Sequence, residues 1–514
     1  MRSERLFRIL GLVDGDLVLE AGEAAAPAAR RKRRWSIPMA AAACGALVCG
    51  LALARWGLGN INMGGGANAG GSGHDGGTVF MSYGGPVFPL GVLEEDVDLT
   101  AERAVIWDLA PGAYRDGEPR QWGAAVTDGY ILSNSTGEDI TVNALYPFTG
   151  SLQNLAERMP AVTVDGTEAE PILYAGPYSG GFQSASPDGS DTLNLAYPDS
   201  WEDYKALLSD GRYREQALGD YPVLDVPVTV YQFTDFAAPH EEYRAATQAV
   251  TFSADESETT VFTYGFNGYE GDPEEGWARH SYFVPDGVRA EPELKLLIVL
   301  GKDLEGYVLQ GYQDGGCSRG EEIEGVSCTV IRQESTLDEV LDEICRYDSE
   351  RYGALRGEEA DTGAAFTLFR RAVGELLADM GPLPGNRCPD RYSYGFLDDL
   401  VSEARAMDRV LYLQFPVTVP AGGDVSVSAS LWKAPSHDFD CSGSENVGIQ
   451  GYDMVTALGS SLRFTRQTAA LVNGEGVEIV RQNFGFDLAG GVSQVELDMG
   501  QEHYYLEIRV REED

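Results

Sequence analysis

A polar turn between two apolar ends forms the stretch Leu132-Ser133-Asn134-Ser135-Thr136-Gly137-Glu138-Asp139-Ile140-Thr141-Val142. Apolar and polar residues alternate in its second half, where the polar Thr141 separates Ile140 from Val142. A period of two places successive side chains on opposite faces of a strand. The stretch therefore predicts a strand, a turn and a second strand that buries one face.

The same outline recurs at residues 252–261 (FSADESETTV) and 419–427 (VPAGGDVSV). Short apolar runs separated by Gly, Asn, Asp and Pro surround all three segments, which is typical of a β-sandwich or barrel. We predict a mainly β fold with tandem β-sandwich units of immunoglobulin-like architecture. A simple β-hairpin is the alternative at each recurrence, because turns select the same residues. The predicted strands cover residues 103–109, 126–133, 140–146, 223–233, 249–252, 261–266, 294–300, 307–312, 410–419 and 506–510.

A helical insertion interrupts this β pattern. Ser335 is the predicted cap of a first helix, whose apolar side follows from Leu337 to Ile344. A second helix is predicted over residues 366–380, ended by Gly381 and Pro382, and a third over residues 396–404. A shorter helix is predicted at residues 201–208.

The net charge reverses sign along the chain. The 514 residues contain 81 Asp and Glu against 38 Lys and Arg, a net charge of -43. Residues 1–56 hold nine basic and five acidic residues, a net of +4, which leaves 29 basic and 76 acidic residues and a net of -47 beyond them. Nucleic-acid binding needs basic side chains that displace counterions. The large acidic part is therefore expected to bind no nucleic acid.

The boundary between the two charge regions predicts a single membrane span. Five basic residues at 30–34 precede an uncharged run at 37–54, and Trp35 and Trp56 flank that run. Eighteen residues of helix are about 27 Å long, close to the hydrocarbon thickness of a bilayer. The basic cluster keeps the N-terminus in the cytoplasm and places the bulk of the chain outside. The alternative is signal-peptidase cleavage after Ala54, since Ala52-Leu53-Ala54 fits an A-x-A site.

The predicted cytoplasmic segment has one apolar helical face, formed by Leu6, Ile9, Leu10, Val13 and Leu17. It suits either the anionic surface of the bilayer or a cytoplasmic protein partner at residues 5–20. Residues 5–18 (RLFRILGLVDGDLV), followed by a basic run and one span, resemble single-pass envelope proteins of Gram-positive bacteria. Some of those proteins act as anti-sigma-like regulators, and the resemblance implies the topology more than an activity.

The segments together predict seven parts: a cytoplasmic segment with an amphipathic helix at 1–34, a transmembrane helix at 35–56, a Gly-rich linker at 57–77, a β-rich domain at 78–220, a second at 221–334, a helical subdomain at 335–408 and a C-terminal β domain at 409–514.

Three segments partly match catalytic sequence motifs, but either a motif residue is missing or the surrounding sequence does not fit. Residues 316–320 (GCSRG) match the G-x-S-x-G elbow by letter, but no strand leads into the serine. Residues 240–244 (HEEYR) lack the second histidine of H-E-x-x-H. Residues 430–433 (SLWK) fit S-x-x-K but lie in a predicted strand. Cys317 and Cys328 could form a disulfide or remain two small apolar residues. No catalytic residue is predicted.

The best candidate site is an acidic loop with a calcium-binding pattern. Asp438, Asp440 and Ser442 supply oxygen atoms at positions 1, 3 and 5, with Glu445 and Asn446 following. Ile449 stands at position 12, where the pattern has a bidentate Glu, so Glu445 or a carboxylate distant in sequence would have to complete the shell. The alternative is a solvated acidic turn.

These features predict a membrane-anchored extracytoplasmic protein of the bacterial cell envelope that binds or senses an unknown ligand without catalysis. The alternatives are an envelope hydrolase that uses carboxylates distant in sequence, and a passive surface protein released by signal peptidase.

Overall fold

The computed structural model describes residues 84–110, 114, 120, 122–178, 211–220, 222–239, 246–272, 275–285, 292–356, 363–386, 390–437 and 446–511. The described part is mainly β, with several antiparallel sheets of the β-sandwich type. The predicted cytoplasmic segment, span and linker lie outside it, as does the helix predicted at 201–208. Among the described helices, none is both long and apolar enough to cross a bilayer.

The elements before residue 222 are β1 (Gly91–Val92), β2 (Leu99–Asp108), β3 (Ala124–Asn134), β4 (Ile140–Gly150), a 3-10 helix (Leu152–Asn154), α1 (Leu155–Arg158), β5 (Ala161–Val164), β6 (Thr167–Glu168), β7 (Ile172–Tyr178) and α2 (Arg212–Leu218). The next strands are β8 (Pro227–Ala237), β9 (Thr247–Ser253), β10 (Thr259–Tyr264), β11 (Gly268–Asp272), β12 (Trp277–Phe283), β13 (Lys295–Gly301), β14 (Tyr307–Tyr312), β15 (Glu322–Ile323) and β16 (Ser327–Thr336).

Four helices follow: α3 (Leu337–Arg356), α4 (Ala364–Met380), α5 (Asp390–Ser393) and α6 (Leu397–Ala406). The final strands are β17 (Arg409–Val419), β18 (Asp424–Lys433), β19 (Ile449–Val455), β20 (Arg463–Val472), β21 (Val477–Gln482), β22 (Gln494–Glu496) and β23 (His503–Val510). The structure thereby confirms strands at the predicted positions, except at residues 223–226, and the three predicted helices.

Two details differ from the prediction. Thr336, not Ser335, caps α3, because its hydroxyl accepts the Glu339 N–H at 3.3 Å and its own N–H is bonded to the Glu339 carboxylate. Residues 223–226 form no strand. The carbonyls of Leu224 and Val226 instead accept the first N–H groups of α3, which have no partner within the helix.

The described residues form two compact units, which we name by their place in the sequence. The middle unit takes residues within 222–361 and 376–402, and the flanking unit takes residues within 66–221, 362–375 and 403–514. The strands from 78–220 and from 409–514, predicted as separate domains, pair with each other in the flanking unit. Strand β17 lies between β4 and β7, while β18 lies between β3 and β5.

The flanking unit has three sheets around a main core. Their strand orders are β1-β4-β17-β7, β22-β20-β2-β3-β18-β5-β6 and β19-β23-β21. All pairs are antiparallel except β2 with β20, in which Thr100 is aligned with Arg463. Alternate residues of the facing sheets, such as Val142, Val417 and Val427, fill the core. The period of two seen in the sequence is thus the alternation between core and surface.

The middle unit has a four-stranded sheet, β10-β13-β8-β16, and a five-stranded sheet, β11-β12-β9-β14-β15. Its core is aromatic, and the rings of Phe266 and Tyr282 meet edge to face at 4.9 Å. His280 lies among these rings, stacked on Phe252, and is 2% exposed. Burial lowers the pKa of His280 to about 4, so the ring is neutral at pH 7.

The three recurring turns change sheets instead of forming hairpins. The turn after Asn134 leads from the seven-stranded to the four-stranded sheet, and the turn after Val419 leads back. The two turns bind each other: the Asn134 side chain donates to the Val419 carbonyl at 3.1 Å, and the Gly422 N–H donates to the Thr136 carbonyl at 3.0 Å. The turn after Ser253 joins the two sheets of the middle unit.

An ion pair lies in the core of the flanking unit. The guanidinium of Arg103 donates two 2.8 Å hydrogen bonds to the carboxylate of Asp128, and both side chains are fully buried. Tyr130 donates to the same carboxylate at 2.6 Å. Arg103 also donates to the carbonyls of Phe88 and Val455. Burial disfavours the charge, but Asp128 raises the pKa of Arg103 above its ordinary value.

Candidate functional site

The candidate functional site is an open groove of about 570 Å³ in the flanking unit. All six residues of β21 line it, together with residues 486–489, Tyr505 and Arg511. Successive side chains of a strand point to opposite faces. A groove that touches all six therefore runs along the edge of β21. We name it the β21 groove.

The register of β21 shows which backbone groups face the groove. Strand β21 is at the end of the order β19-β23-β21, and no other described strand pairs with its outer side. The Arg511 N–H donates to the Gly476 carbonyl, and Val477 is aligned with Val510 and Ile479 with Ile508. Bonded and non-bonded pairs alternate in an antiparallel ladder. The N–H and C=O of Ile479 therefore point away from β23.

One register shift, between Ile479 and Arg481, marks a bulge at Val480. Glu478 is aligned with Arg509 and Arg481 with Glu507. Since Arg509 and Glu507 are two residues apart on β23, their side chains are on the same face. The extra residue thus brings Glu478 and Arg481 to one face, which a regular strand would not do.

The groove has an apolar lining on a rigid support. Val477 and Phe486 are buried in the core, and Ile479 and Leu488 pack against it. The Gln482 side chain binds both backbone groups of Phe486, accepting its N–H at 3.0 Å and donating to its carbonyl. These two bonds hold residues 486–489 beside the strand. The groove is therefore a preformed feature, with unused strand backbone on one side and apolar side chains beneath.

Two arginines and two carboxylates balance the charge of the groove. Arg481 pairs through Nε with Glu507, which is 2% exposed, and donates from Nη2 to the Asn446 side-chain oxygen at 2.9 Å. Glu478 and Arg511 are exposed. The Asp487 carboxylate accepts the Gly490 N–H at 2.9 Å, so it stabilises the turn in which it lies. The arrangement suits hydrogen bonding and ion pairing with a ligand.

Of the predicted calcium ligands, Asp438, Asp440, Ser442 and Glu445 lie outside the described residues. Asn446 is described and is 6% exposed. Its side-chain oxygen accepts the hydrogen bond from Arg481. This hydrogen bond uses one of the two lone pairs of the amide oxygen. Among the described side chains, no group of three or more His, Cys, Asp or Glu residues is placed to hold a metal.

The serine and lysine of the S-x-x-K match are not a catalytic pair. Ser430 and Lys433 both lie in β18 and, three positions apart, point to opposite faces of the sheet. Lys433 is buried and donates to the Gly84 carbonyl and to the Thr149 hydroxyl. Burial lowers the pKa of Lys433 to about 8. The lowered pKa of Lys433 therefore results from its position in the core.

Cys317 and Cys328 are both free thiols. They interact with Ser281 and Tyr282 respectively, adjacent residues of β12. Because adjacent side chains are on opposite faces, the two sulfur atoms lie on opposite sides of the sheet. The disulfide alternative therefore does not apply in this structure.

Sequence reasoning missed the β21 groove. A signal was present, since Val477 and Ile479 alternate with Glu478. That pattern identifies a strand with one buried face, but not whether its edge is covered, which depends on partners distant in sequence. A scan against protein-family models finds no match to this chain, and a search of curated proteins finds none either.

Proposed function

We propose that this chain is a single-pass, membrane-anchored protein of the bacterial cell envelope that binds and senses a partner through the β21 groove. Residues 1–34 lie in the cytoplasm, residues 35–56 span the bilayer, and the Gly-rich linker at 57–77 leads to the exported body. The charge reversal near residue 56 and the resemblance of residues 5–18 to single-pass envelope proteins support this topology.

The β21 groove carries the proposal for binding. It combines exposed strand backbone at Ile479, an apolar lining and mixed charges on a fixed support. Polypeptide segments bind to such edges by adding a strand, with affinity from the backbone and specificity from alternate side chains. A cytoplasmic partner at residues 5–20 then receives the signal.

The finer architecture is also a proposal. Two units, each with sheets around a main apolar core, support tandem β-sandwiches of immunoglobulin-like type. In this proposal the transmembrane helix is not cleaved, so both sandwich units stay attached to the membrane.

Transcript measurements in the native host test the sensing role. We expect deletion of residues 5–20 and the groove variant Glu478→Arg to change the same set of transcripts. Glu168→Arg is the matched control, since Glu168 is exposed on β6, a different edge strand. Unchanged transcripts in both test strains would favour a passive surface protein. Protease accessibility of tags at the two ends tests the topology.

Calcium binding at the loop that contains Asp438, Asp440, Ser442, Glu445 and Asn446 is a further part of the proposal. We expect millimolar calcium to raise the Tm, because a ligand that binds only the folded state adds about 1.4 kcal/mol at tenfold excess over its Kd. Asp440→Asn should remove the response. A Tm that calcium leaves unchanged would contradict the site.

A further inference from the structure

We propose that β21 pairs antiparallel with β21 of a second copy of this chain, across a two-fold axis between Ile479 and Val480. The two three-stranded sheets would then form one six-stranded sheet. This inference rests on the proposed binding function of the β21 groove and names its partner.

The backbone geometry provides the first argument. Strand β21 ends its sheet, and the N–H and C=O of Ile479 face the groove. An added strand lies about 4.8 Å away in the hydrogen-bonding direction. The open volume of about 570 Å³ along the strand supplies that space. An extended segment would therefore satisfy backbone groups that the described strands leave unused.

The sequence of the strand is complementary to itself. It runs Val477-Glu478-Ile479-Val480-Arg481-Gln482. In the proposed register Glu478 is opposite Arg481 of the second copy, and Ile479 and Val480 of both copies lie between the two pairs. Two symmetric ion pairs thus flank an apolar centre, and opposite charges across strands are stabilising.

The bulge makes this register possible. Residues directly opposite each other must be on the same face of the joined sheet. Glu478 and Arg481 meet that condition because of the extra residue at Val480. Without the bulge they would be on opposite faces and could not pair across the axis. A bulge that re-aims a side chain at a sheet edge is a known use of this irregularity.

The atoms of Arg481 allow a second carboxylate. The guanidinium uses Nε for Glu507 and Nη2 for Asn446. Neither bond uses Nη1, which can donate to Glu478 of the second copy. The existing bonds also hold the arginine in place, so pairing would immobilise little additional side chain.

The charge distribution favours approach at this edge. Two copies with a net charge of -43 each repel one another. The charged groups that line the groove are two arginines and two carboxylates. The formal charges of these four lining groups sum to zero, so the lining adds no net charge to the edge that meets the second copy.

The molar mass of the purified full-length chain in detergent micelles tests the proposal over a wide concentration range. We expect the wild type to pass from monomer to dimer. Glu478→Arg should weaken the dimer about tenfold or more, because it sets like charges against each other at two symmetric positions. Glu168→Arg, the same change on a different edge strand, should dimerise as the wild type does. Circular dichroism checks that both variants are folded.

Amide hydrogen exchange locates the contact. In the dimer the Ile479 N–H should exchange at least tenfold more slowly than after dilution to the monomer, since pairing gives it an acceptor. Any one of three results overturns the proposal. The wild type stays monomeric at every concentration, Glu478→Arg leaves the dimer unchanged, or the Ile479 N–H exchanges at the same rate in monomer and dimer. The transcript comparison is a separate measurement. A monomer whose transcripts still respond to Glu478→Arg would keep the binding function and remove the second copy as partner.

Discussion

Arg103 shows how a buried charge is accommodated in this core. Its guanidinium is bonded to Asp128, to two backbone carbonyls and to Gln467, so each nitrogen has an acceptor. Removing a charge from water costs several kcal/mol, which the pair offsets only with complete hydrogen bonding. The ion pair therefore contributes more to the specificity of packing in the core than to the stability of the fold.

Asp128→Ala should lower the free energy of unfolding by about 3–5 kcal/mol, because it leaves Arg103 charged and buried without its partner. Arg332→Gln is the comparison, since Arg332 pairs with Asp303 at 2.7 Å but is 46% exposed. That change should cost at most about 1 kcal/mol. Urea unfolding measures both, and equal losses would contradict the role given to burial.

His280 gives the middle unit a defined sensitivity to acid. Its pKa is about 4 in the folded state, against an ordinary value of 6.5, because burial among aromatic rings disfavours the charged form. Above pH 6.5 the ring is neutral in both states. Between pH 6.5 and 4 the unfolded chain binds a proton that the folded chain does not, so stability falls as the pH falls.

His280→Phe should remove this component, which amounts to about 3 kcal/mol once the pH is below the folded pKa. The aromatic ring keeps the contacts with Phe252 and Phe266. Urea unfolding at pH 7 and pH 4.5 should show a smaller acid-induced loss in the variant than in the wild type. Equal losses would mean that His280 is protonated in the folded protein at the lower pH.

The turns that change sheets are the elements that make the flanking unit a sandwich. Asn134 holds two of them together: its amide nitrogen donates to the carbonyls of Glu138 and Val419, and its oxygen accepts from Thr136. The equivalent turn in the middle unit is simpler, because the Asp255 carboxylate binds only within its own turn, to Ser257. Turns with the same sequence outline therefore differ in their contacts: one is bonded to a second turn, and the other only within itself.

Asn134→Ala should destabilise the protein by about 2 kcal/mol, since it leaves the buried Val419 carbonyl without that donor. Asp255→Ala should cost about 1 kcal/mol or less, because water can replace its exposed bonds. Thermal unfolding of the two variants measures the difference. A larger loss for Asp255→Ala would contradict the role of Asn134 as the link between turns.

How much of this could be predicted depends on the range of the interaction. Alternation at Ile140 and Val142 predicted a strand, and the apolar spacing from Leu337 to Ile344 predicted a helix, because both patterns are local. The pairing of β17 with β4 and the open edge at β21 join residues far apart in sequence. Local propensity carries no information on such partners, so the candidate groove emerges only from the structure.

The excess of acidic residues acts on the molecule as a whole. A net charge of -43 makes the folded state repel itself, and the repulsion is screened by salt. Ion pairs on the surface, such as Arg332 with Asp303, are weakened by the same screening. With 81 acidic against 38 basic residues, the chain holds more pairs of like charge than pairs of opposite charge. Salt should therefore stabilise the protein.

Raising the salt from about 0.01 M to about 0.1 M shortens the Debye length from about 30 Å to about 10 Å. We expect the free energy of unfolding to rise by about 1 kcal/mol, the size of a few exposed charge contacts. Urea unfolding at the two salt concentrations measures the change, with an equal osmolarity of sucrose as the uncharged comparison. A fall in the urea midpoint with salt would show that ion pairs outweigh the repulsion.

The parallel pair of β2 and β20 also sets an order of assembly. Synthesis delivers Thr100 long before Arg463, its neighbour in the sheet. Strand β2 must therefore wait with an uncovered edge while the residues of the middle unit emerge and complete their own sheets. Exposed edges of this kind recruit other strands. During that interval the newly made chain is most in need of a chaperone, and a stalled ribosome would leave the first strands open to aggregation.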